Sequence, residues 1–403
     1  MTPQFIAAIA LVGLLQAQQQ PVEQAWELLA KGERPQAIRL LEKTIQDSPG
    51  QADARLLLGS VLMEEGRRDE SIAQLREGVR LRPNSAEAQN ALGEAYNAFE
   101  DPKSARASFE KSVELDPKLA VARVNLGTVL LQAGEMDTAA IHLDRAIALL
   151  GHSRDAAHPL YLRAKIYTER SQVQKASKAL TEAVSLQPDF SEAWSDLGNA
   201  RKIMLDNAGA LAAFKRAVEI NSSDAVAQAR LGTQYLAGGQ ARAAVRHFQE
   251  AVRLSPSDQA ALNGLQRALR EDGQEQQADE VKRKLAELLR AKDKSDQNSL
   301  IAVRLNNEGA ALEKAGSLRE AVKKYQRASE LDPEHNGIRV NLGVALLRLG
   351  QWKEGLAQLR DAARREPGNA VLKAALDDAL TQAPVEFGGQ GKGRTASKPQ
   401  PKD

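Results

Sequence analysis

The feature of this sequence that most restricts its fold is the regular spacing of its Leu-Gly pairs, which is 34 residues or a multiple of 34 plus a short insertion. The glycines of these pairs are Gly59, Gly93, Gly127, Gly198, Gly232 and Gly343. With this glycine as position 8 of a repeat, ten repeats begin at residues 18, 52, 86, 120, 157, 191, 225, 259, 302 and 336. Such a repeat predicts an array in which each unit packs only on its neighbours, so the chain need not divide into globular domains.

Three positions of the repeat predict two helices in close contact. A glycine inside a helix costs about 1 kcal/mol relative to alanine, so its recurrence at position 8 indicates that a side chain has no room there. Position 20 carries small residues, namely Ala37, Ser71, Ala105, Ala139, Ala176, Ala210, Ala244, Ala278, Ala321 and Gly355. Position 24 carries large apolar residues, namely Leu41, Leu75, Phe109, Leu143, Leu180, Phe214, Phe248, Tyr325 and Leu359. The eighth repeat departs from the pattern, with Gln266 at position 8 and Lys282 at position 24.

Two further positions predict where the helices end. Position 15 is glycine in seven repeats, at Gly32, Gly66, Gly134, Gly239, Gly273, Gly316 and Gly350. A glycine just past a helical run favours the left-handed conformation that stops a helix. Position 32 is proline in seven repeats, at Pro49, Pro83, Pro117, Pro188, Pro256, Pro333 and Pro367, and proline prevents the second helix from continuing. Each repeat is therefore predicted to be a helix, a tight turn and a second helix.

This five-position pattern resembles that of the tetratricopeptide repeat (TPR) family, and the resemblance covers about residues 18–369. It implies an all-α fold, a right-handed superhelical α-solenoid of about ten helix-turn-helix repeats. It also implies a concave groove lined by the first helix of each pair.

The departures from the pattern predict how the chain is organised. The predicted segments are a TPR array at 18–292 (repeats 1–8), an inter-array linker or helix extension at 293–301, repeats 9–10 at 302–369, a C-terminal capping helix at 370–383 and a disordered tail at 384–403. The polar stretch around residues 293–298 indicates either a hinge that changes the curvature of the groove or one longer rigid helix.

The first seventeen residues contain an apolar run from Phe5 to Leu15. A run of this length is too short to cross a bilayer as a helix, but it suits the apolar core of a secretory signal, with Ala17 before the cleavage point. We therefore expect a signal peptide at 1–17, a periplasmic or secreted protein, and no integral membrane segment after cleavage. The alternative is a cytoplasmic protein in which this segment is a helix packed on the first repeat.

The residue types that support catalysis are poorly represented. The chain has no cysteine, which excludes disulfides, thiolate metal sites and cysteine nucleophiles. It also lacks the metalloprotease, nucleotide-binding and serine-hydrolase motifs, and its five histidines are scattered. The net charge of +2 lies entirely in the last twenty residues, so the repeats carry no basic stripe for nucleic acid. We expect no enzyme activity, no cofactor, no metal site and no nucleic-acid partner.

The resemblance implies that a ligand lies against positions 2, 5, 9, 12 and 13 of the repeat. The candidate groove residues are Val124, Thr128, Leu131, Tyr161, Lys165, Asn199, Lys202, Thr233 and Leu236. Apolar residues with a few polar anchors suit an extended or helical peptide, although each residue could instead only contact the opposite wall or solvent. No three successive repeats supply the clamp that some TPR proteins use for chaperone C-termini. Asparagine occupies position 6 only at Asn125, Asn307 and Asn341, so the asparagine ladder of O-linked N-acetylglucosamine transferase arrays is incomplete.

The sequence thus predicts a non-enzymatic scaffold that binds a protein or peptide segment in its concave groove. The alternative is an accessory or targeting subunit of a separately encoded enzyme, such as a glycosyltransferase or a peptidase. The identity of the partner and the oligomeric state stay open.

Overall fold

The computed structural model describes residues 20–366 and 368–384, and every regular element in these ranges is a helix. The chain forms two compact units, Met1–Gly273 and Gln274–Asp403. The expected signal segment at 1–17, the proline at position 32 of repeat ten and the tail beyond residue 384 lie outside the described residues.

The first unit consists of helix pairs joined by short turns. Its α-helices are α1 (described over 20–30), α2 (Arg34–Asp47), α3 (Ala52–Glu64), α4 (Arg68–Leu81), α5 (Ala86–Ala98), α6 (Pro102–Leu115), α7 (Ala120–Gln132), α8 (Met136–Leu150), α9 (Ala157–Glu169), α10 (Val173–Leu186), α11 (Ser191–Ile203), α12 (Asn207–Ile220), α13 (Ala225–Ala237), α14 (Ala241–Leu254) and α15 (Gln259–Glu271). A short 3-10 helix, Arg154–Ala156, follows the insertion between repeats four and five. From the second repeat onward, each odd-numbered helix in this unit begins at the first residue of a predicted repeat.

The second unit begins with a helix of 40 residues, α16 (Glu275–Lys314). It continues with α17 (Leu318–Leu331), α18 (Asn336–Arg348), α19 (Trp352–Arg365) and α20 (Ala370–Gln382). Residues 293–301, the predicted linker or helix extension, lie within α16 and are helical. Helix α20 corresponds to the predicted capping helix, and its Asp377 and Asp378 are exposed.

The predicted helical solenoid is confirmed, and its core lies where the two helices of each repeat meet. Seven side chains at position 24 are among the largest that are fully buried: Leu41, Leu75, Phe109, Leu143, Leu180, Phe214 and Tyr325. Each of these side chains covers the glycine or alanine at position 8 of its own repeat. A Cβ added to Gly93 would stand 2.6 Å from the Phe109 ring, and one added to Gly127 would stand 2.9 Å from the Leu143 side chain. The recurring glycine is therefore required by a buried side chain above it.

Position 15 adopts the left-handed conformation in every repeat, including the three repeats that lack glycine there. The non-glycine residues are Glu100, Ser171 and Leu205, with φ angles of 58°, 55° and 62°. The amide of Leu205 donates to the Lys202 carbonyl at 3.0 Å, and the amide of Asp206 donates to the Arg201 carbonyl at 2.9 Å. The equivalent bonds close the turn at Gly134. The packing of the two helices therefore imposes this turn even on a residue that disfavours it.

Replacing Leu205 with glycine is expected to raise the free energy of unfolding by about 1 kcal/mol. The left-handed conformation costs an ordinary residue roughly 1–2 kcal/mol, and the greater backbone entropy of unfolded glycine offsets part of that gain. Leu205 is 82% exposed, so little apolar contact is lost. Urea unfolding would measure the change, with Gly239→Ala, at φ 69°, as the control of opposite sign. A Leu205→Gly protein less stable than the parent would contradict the expectation.

None of the helices in the described residues combines the length and the apolar character needed to span a bilayer.

Candidate functional site

The candidate site lies on the first helices of repeats four to seven, which are α7, α9, α11 and α13. Helix α9 is the middle of the site, because its side chains line two separate recesses. One recess lies on the side of α11 and α13, and the other lies on the side of α7. Both belong to the first compact unit.

The recess between α9, α11 and α13, here called the Lys165 recess, is a cavity of about 390 Å³. Its polar lining includes Lys165, Asn199, Asp196 and Arg230, and its apolar lining includes Ile203. Ile203 is largely exposed, and the Lys165 side chain is also exposed. A cavity with an apolar wall and several polar groups has the composition of a binding site for a side chain that carries both kinds of surface.

The recess between α7 and α9, here called the Val124 recess, is a cavity of about 450 Å³. Its apolar lining is formed by Val121, Val124, Leu150 and Pro159. Asp155, from the short helix of the insertion, also lines it. The insertion between repeats four and five therefore contributes directly to this recess.

A cluster of aromatic rings lies beside the two recesses. The ring centroids of Tyr161 and Phe190 are 4.9 Å apart, and the His158 ring lies 6.4 Å from Tyr161 and 6.3 Å from Phe190. The Lys165 ammonium stands 5.7 Å from the centre of the Tyr161 ring, within the range of a cation–π contact. Burial, followed by the charge of Lys165, lowers the pKa of His158 below its ordinary value, so the imidazole is neutral at pH 7.

Tyr161 connects this cluster to a chain of polar groups across three repeats. Arg230 of α13 donates to Asp196 at 3.0 Å and to the hydroxyl of Ser195 at 2.7 Å, both on α11. Burial, the neighbouring carboxylates of Asp196 and Glu192, and a hydrogen bond with Asp196 together raise the pKa of Tyr161 to about 12. The phenol therefore keeps its proton at neutral pH and acts as a hydrogen-bond donor.

The structure brings some of the predicted groove residues together. Lys165 and Asn199 line the same recess, Val124 lines the other, and Tyr161 lies in the aromatic cluster. Lys202 is exposed on α11 but lines neither of these two recesses.

The remaining predicted residues contribute less accessible surface chemistry. The hydroxyls of Thr128 and Thr233 donate to carbonyls of their own helices, at 2.9 Å and 2.8 Å. Leu131 is half-buried against a core cluster. Leu236 is only 7% exposed, so its side chain belongs mainly to the interior of the repeat array.

Sequence reasoning missed several residues of the site. Asp196 and Arg230 occupy position 6 of consecutive repeats with opposite charges, a signal that could have paired them. Phe190 precedes the first position of its repeat, and Asp155 lies in the insertion, so the repeat pattern carries no signal for either residue.

The asparagines at position 6 have an architectural role in two repeats. Asn125 donates to Asn90 and to Glu94, both at 3.0 Å, and Asn341 donates to Asn306 at 2.9 Å. In each case the side chain reaches position 5 of the preceding repeat, as Arg230 also does. These amides hold adjacent first helices together.

Within residues 20–366 and 368–384, no three histidine, aspartate or glutamate side chains are grouped so that they could hold a metal ion.

Comparison with family models relates this geometry to known sequences. Three models described as tetratricopeptide repeat match the chain, the first over residues 28–95, the second over residues 90–157 and 306–370, and the third over residues 157–190. No curated protein matches the sequence significantly.

Solved structures resemble parts of the chain. A structure of PilF from Pseudomonas aeruginosa is 16% identical over 53% of this chain and 95% of its own, with a TM-score of 0.49. A structure of YrrB, described as a TPR protein with an unusual peptide-binding site, is 20% identical over 47% of this chain and 96% of its own, with a TM-score of 0.40. MamA from Desulfovibrio magneticus RS-1 is 24% identical over 43% of this chain and 96% of its own, with a TM-score of 0.38.

Proposed function

Because the chain belongs to the tetratricopeptide repeat family, we propose that it is a non-catalytic scaffold that binds a segment of another protein on α7, α9, α11 and α13. The observation that carries the proposal is the pair of recesses beside Tyr161. Two cavities of about 390 and 450 Å³ on one run of first helices provide places for two side chains of one extended segment.

The chemistry of the surface supports a protein ligand over a small metabolite. Tyrosine at the centre of an interface combines a large apolar area with a polar group and few rotatable bonds. The apolar valines and Ile203 supply contact area, while Lys165 and Asn199 supply hydrogen bonds that can fix register. Asp196 and Arg230 neutralise each other at 3.0 Å, so they stiffen the surface without adding net charge.

Site-specific photo-crosslinking tests the location of the binding surface. A photoreactive residue placed at position 165 on α9 is expected to attach covalently to the natural partner in native lysate. The same residue at position 178 is the control, because Lys178 is exposed on a second helix, α10. Equal cross-linking from the two positions would contradict the proposal. If the cross-linked partner proves to be a catalytic protein such as a glycosyltransferase or a peptidase, this chain is an accessory or targeting subunit.

We also propose that the protein acts outside the cytoplasm, on the basis of the apolar run from Phe5 to Leu15. Signal cleavage is then expected to leave a mature chain that begins near Gln18. Intact-mass measurement of protein purified from its native source decides the question. Recovery from the cytoplasmic fraction with residues 5–15 still present would contradict it.

A further inference from the structure

The Val124 recess combines an apolar lining with carboxylates that lack cationic partners. On the side of α5, Glu94 accepts hydrogen bonds from Asn90 at 2.9 Å and from Asn125 at 3.0 Å. Both donors are neutral amides. Asn125 follows Val124 directly on α7, so its bond places the Glu94 carboxylate beside that helix, close to the recess.

The carboxylate of Glu94 is held in place before any partner binds. Asn90 is buried and also accepts a hydrogen bond from Asn125, so three side chains from two repeats form one small network. Glu94 itself is half-buried. A partly desolvated carboxylate that is fixed by neutral donors attracts a cation more strongly than a freely moving surface carboxylate does.

The cations near the recess do not offset this negative charge. Arg154 pairs with Asp189 at 2.8 Å, and His158 is neutral at pH 7 because its pKa is lowered. Among the described residues, no lysine or arginine forms an ion pair with Glu94 or with Asp155. The recess therefore presents apolar surface with two uncompensated carboxylates near it.

The apolar part of the recess fits an aliphatic side chain. Val121 is 47% exposed, and Val124, Leu150 and Pro159 complete a lining without aromatic rings. Covering these groups with a branched aliphatic side chain removes apolar surface from water on both partners.

We propose that the Val124 recess recognises a partner segment in which an aliphatic residue stands next to a lysine or arginine. The aliphatic side chain enters the recess, and the cation pairs with Glu94, with Asp155 adding to the attraction. This inference rests on the proposed function and adds the chemical class of the partner, since charge complementarity of this kind selects among segments more than it adds affinity.

Labelled synthetic peptides that differ at one residue test the proposal. The probes carry a leucine followed by lysine, glutamine or glutamate in an otherwise fixed neutral sequence, and fluorescence anisotropy measures their binding to the full chain. The leucine-lysine peptide is expected to bind about tenfold more tightly than the leucine-glutamate peptide. Salt is expected to reduce this difference, because an exposed ion pair is screened.

Variants of Glu94 assign the preference to its carboxylate. Glu94→Gln keeps an oxygen that can accept from Asn125, and it is expected to remove most of the preference for lysine while the helices stay folded. Glu94→Lys is expected to reverse the preference toward glutamate. Glu114→Gln is the matched control, because Glu114 is an exposed carboxylate on the second helix α6 that pairs with Lys111.

The outcomes separate this inference from the proposed function. Equal binding of the three peptides, or a lysine preference that Glu94→Gln leaves intact, would overturn the inference alone. Absence of binding to every peptide would also overturn it. The proposed function fails only if capture of the natural partner is, in addition, independent of position 165 and of Tyr161.

Discussion

Replacing Gly127 with leucine is expected to lower the free energy of unfolding by about 3 kcal/mol, at the upper end of the usual cost of overpacking. Even a Cβ at this position would stand 2.9 Å from two atoms of Leu143. Leu143 is completely buried, so it has no free space into which it can move. The added leucine must therefore displace α8 from α7.

The control for this variant is Gly134→Ala in the turn of the same repeat. Gly134 has a φ of 79°, and nothing lies within 4 Å of an added Cβ. Alanine there meets only backbone strain, at a cost of roughly 1–2 kcal/mol. Urea unfolding followed by circular dichroism compares the two, with the caveat of method that repeat arrays can unfold in stages, so the earliest transition is the quantity to compare. Equal destabilisation by the two substitutions would refute the explanation of the recurring glycine.

Replacing Tyr161 with alanine is expected to weaken partner binding about tenfold or more, which corresponds to about 1.4 kcal/mol. The substitution removes the ring beside both recesses and the phenol that faces Asp196. Tyr161 is half-buried and packs against the edge of two core clusters, whereas Ala164 and Leu180 of the same repeat are buried in the core. The helical content should therefore be retained, with some loss of stability.

Two further variants separate the contributions to this effect. Tyr161→Phe keeps the ring and removes the hydroxyl, so it is expected to retain most of the affinity if the ring area dominates. Lys178→Ala, on the exposed side of α10, should leave binding unchanged. Isothermal titration with the partner identified by cross-linking measures all three variants. If Tyr161→Ala binds normally while deletion of residues 384–403 abolishes binding, the C-terminal tail is the recognition element and the groove is not.

The repeat pattern alone predicted the helix pairs and their turns. Glycine at position 15 and proline at position 32 act through the backbone of a few neighbouring residues, so their effect can be read without knowing the tertiary structure. The same holds for the periodic apolar positions, because a helix must bury one side. Helices α3, α5, α7, α9, α11 and α13 accordingly begin where the sequence places the repeats.

Other features depended on the packed structure. The left-handed turns at Glu100, Ser171 and Leu205 go against local preference, and the packing of adjacent helices imposes them. The reason for the glycine at position 8 was also only half visible in the sequence. The alanine at position 20 looked like the contacting surface, but the buried side chain at position 24 stands closest to it, as Leu143 does over Gly127.

The candidate site shows the same division between local and tertiary information. The residue types at positions 2, 5, 9 and 12 indicated which side of α9 and α11 could bind a partner, and Lys165 and Asn199 line one recess there. The sequence did not reveal that Leu236 is buried, that Arg230 pairs with Asp196, or that the insertion brings Asp155 to the Val124 recess. Backbone preferences and the period of burial are properties of short segments, so the sequence by itself determined the helices, the turns and the order of the repeats. Contacts between side chains of different repeats depend on rotamers and on the rotation of each helix against the next, and only the tertiary structure decided these.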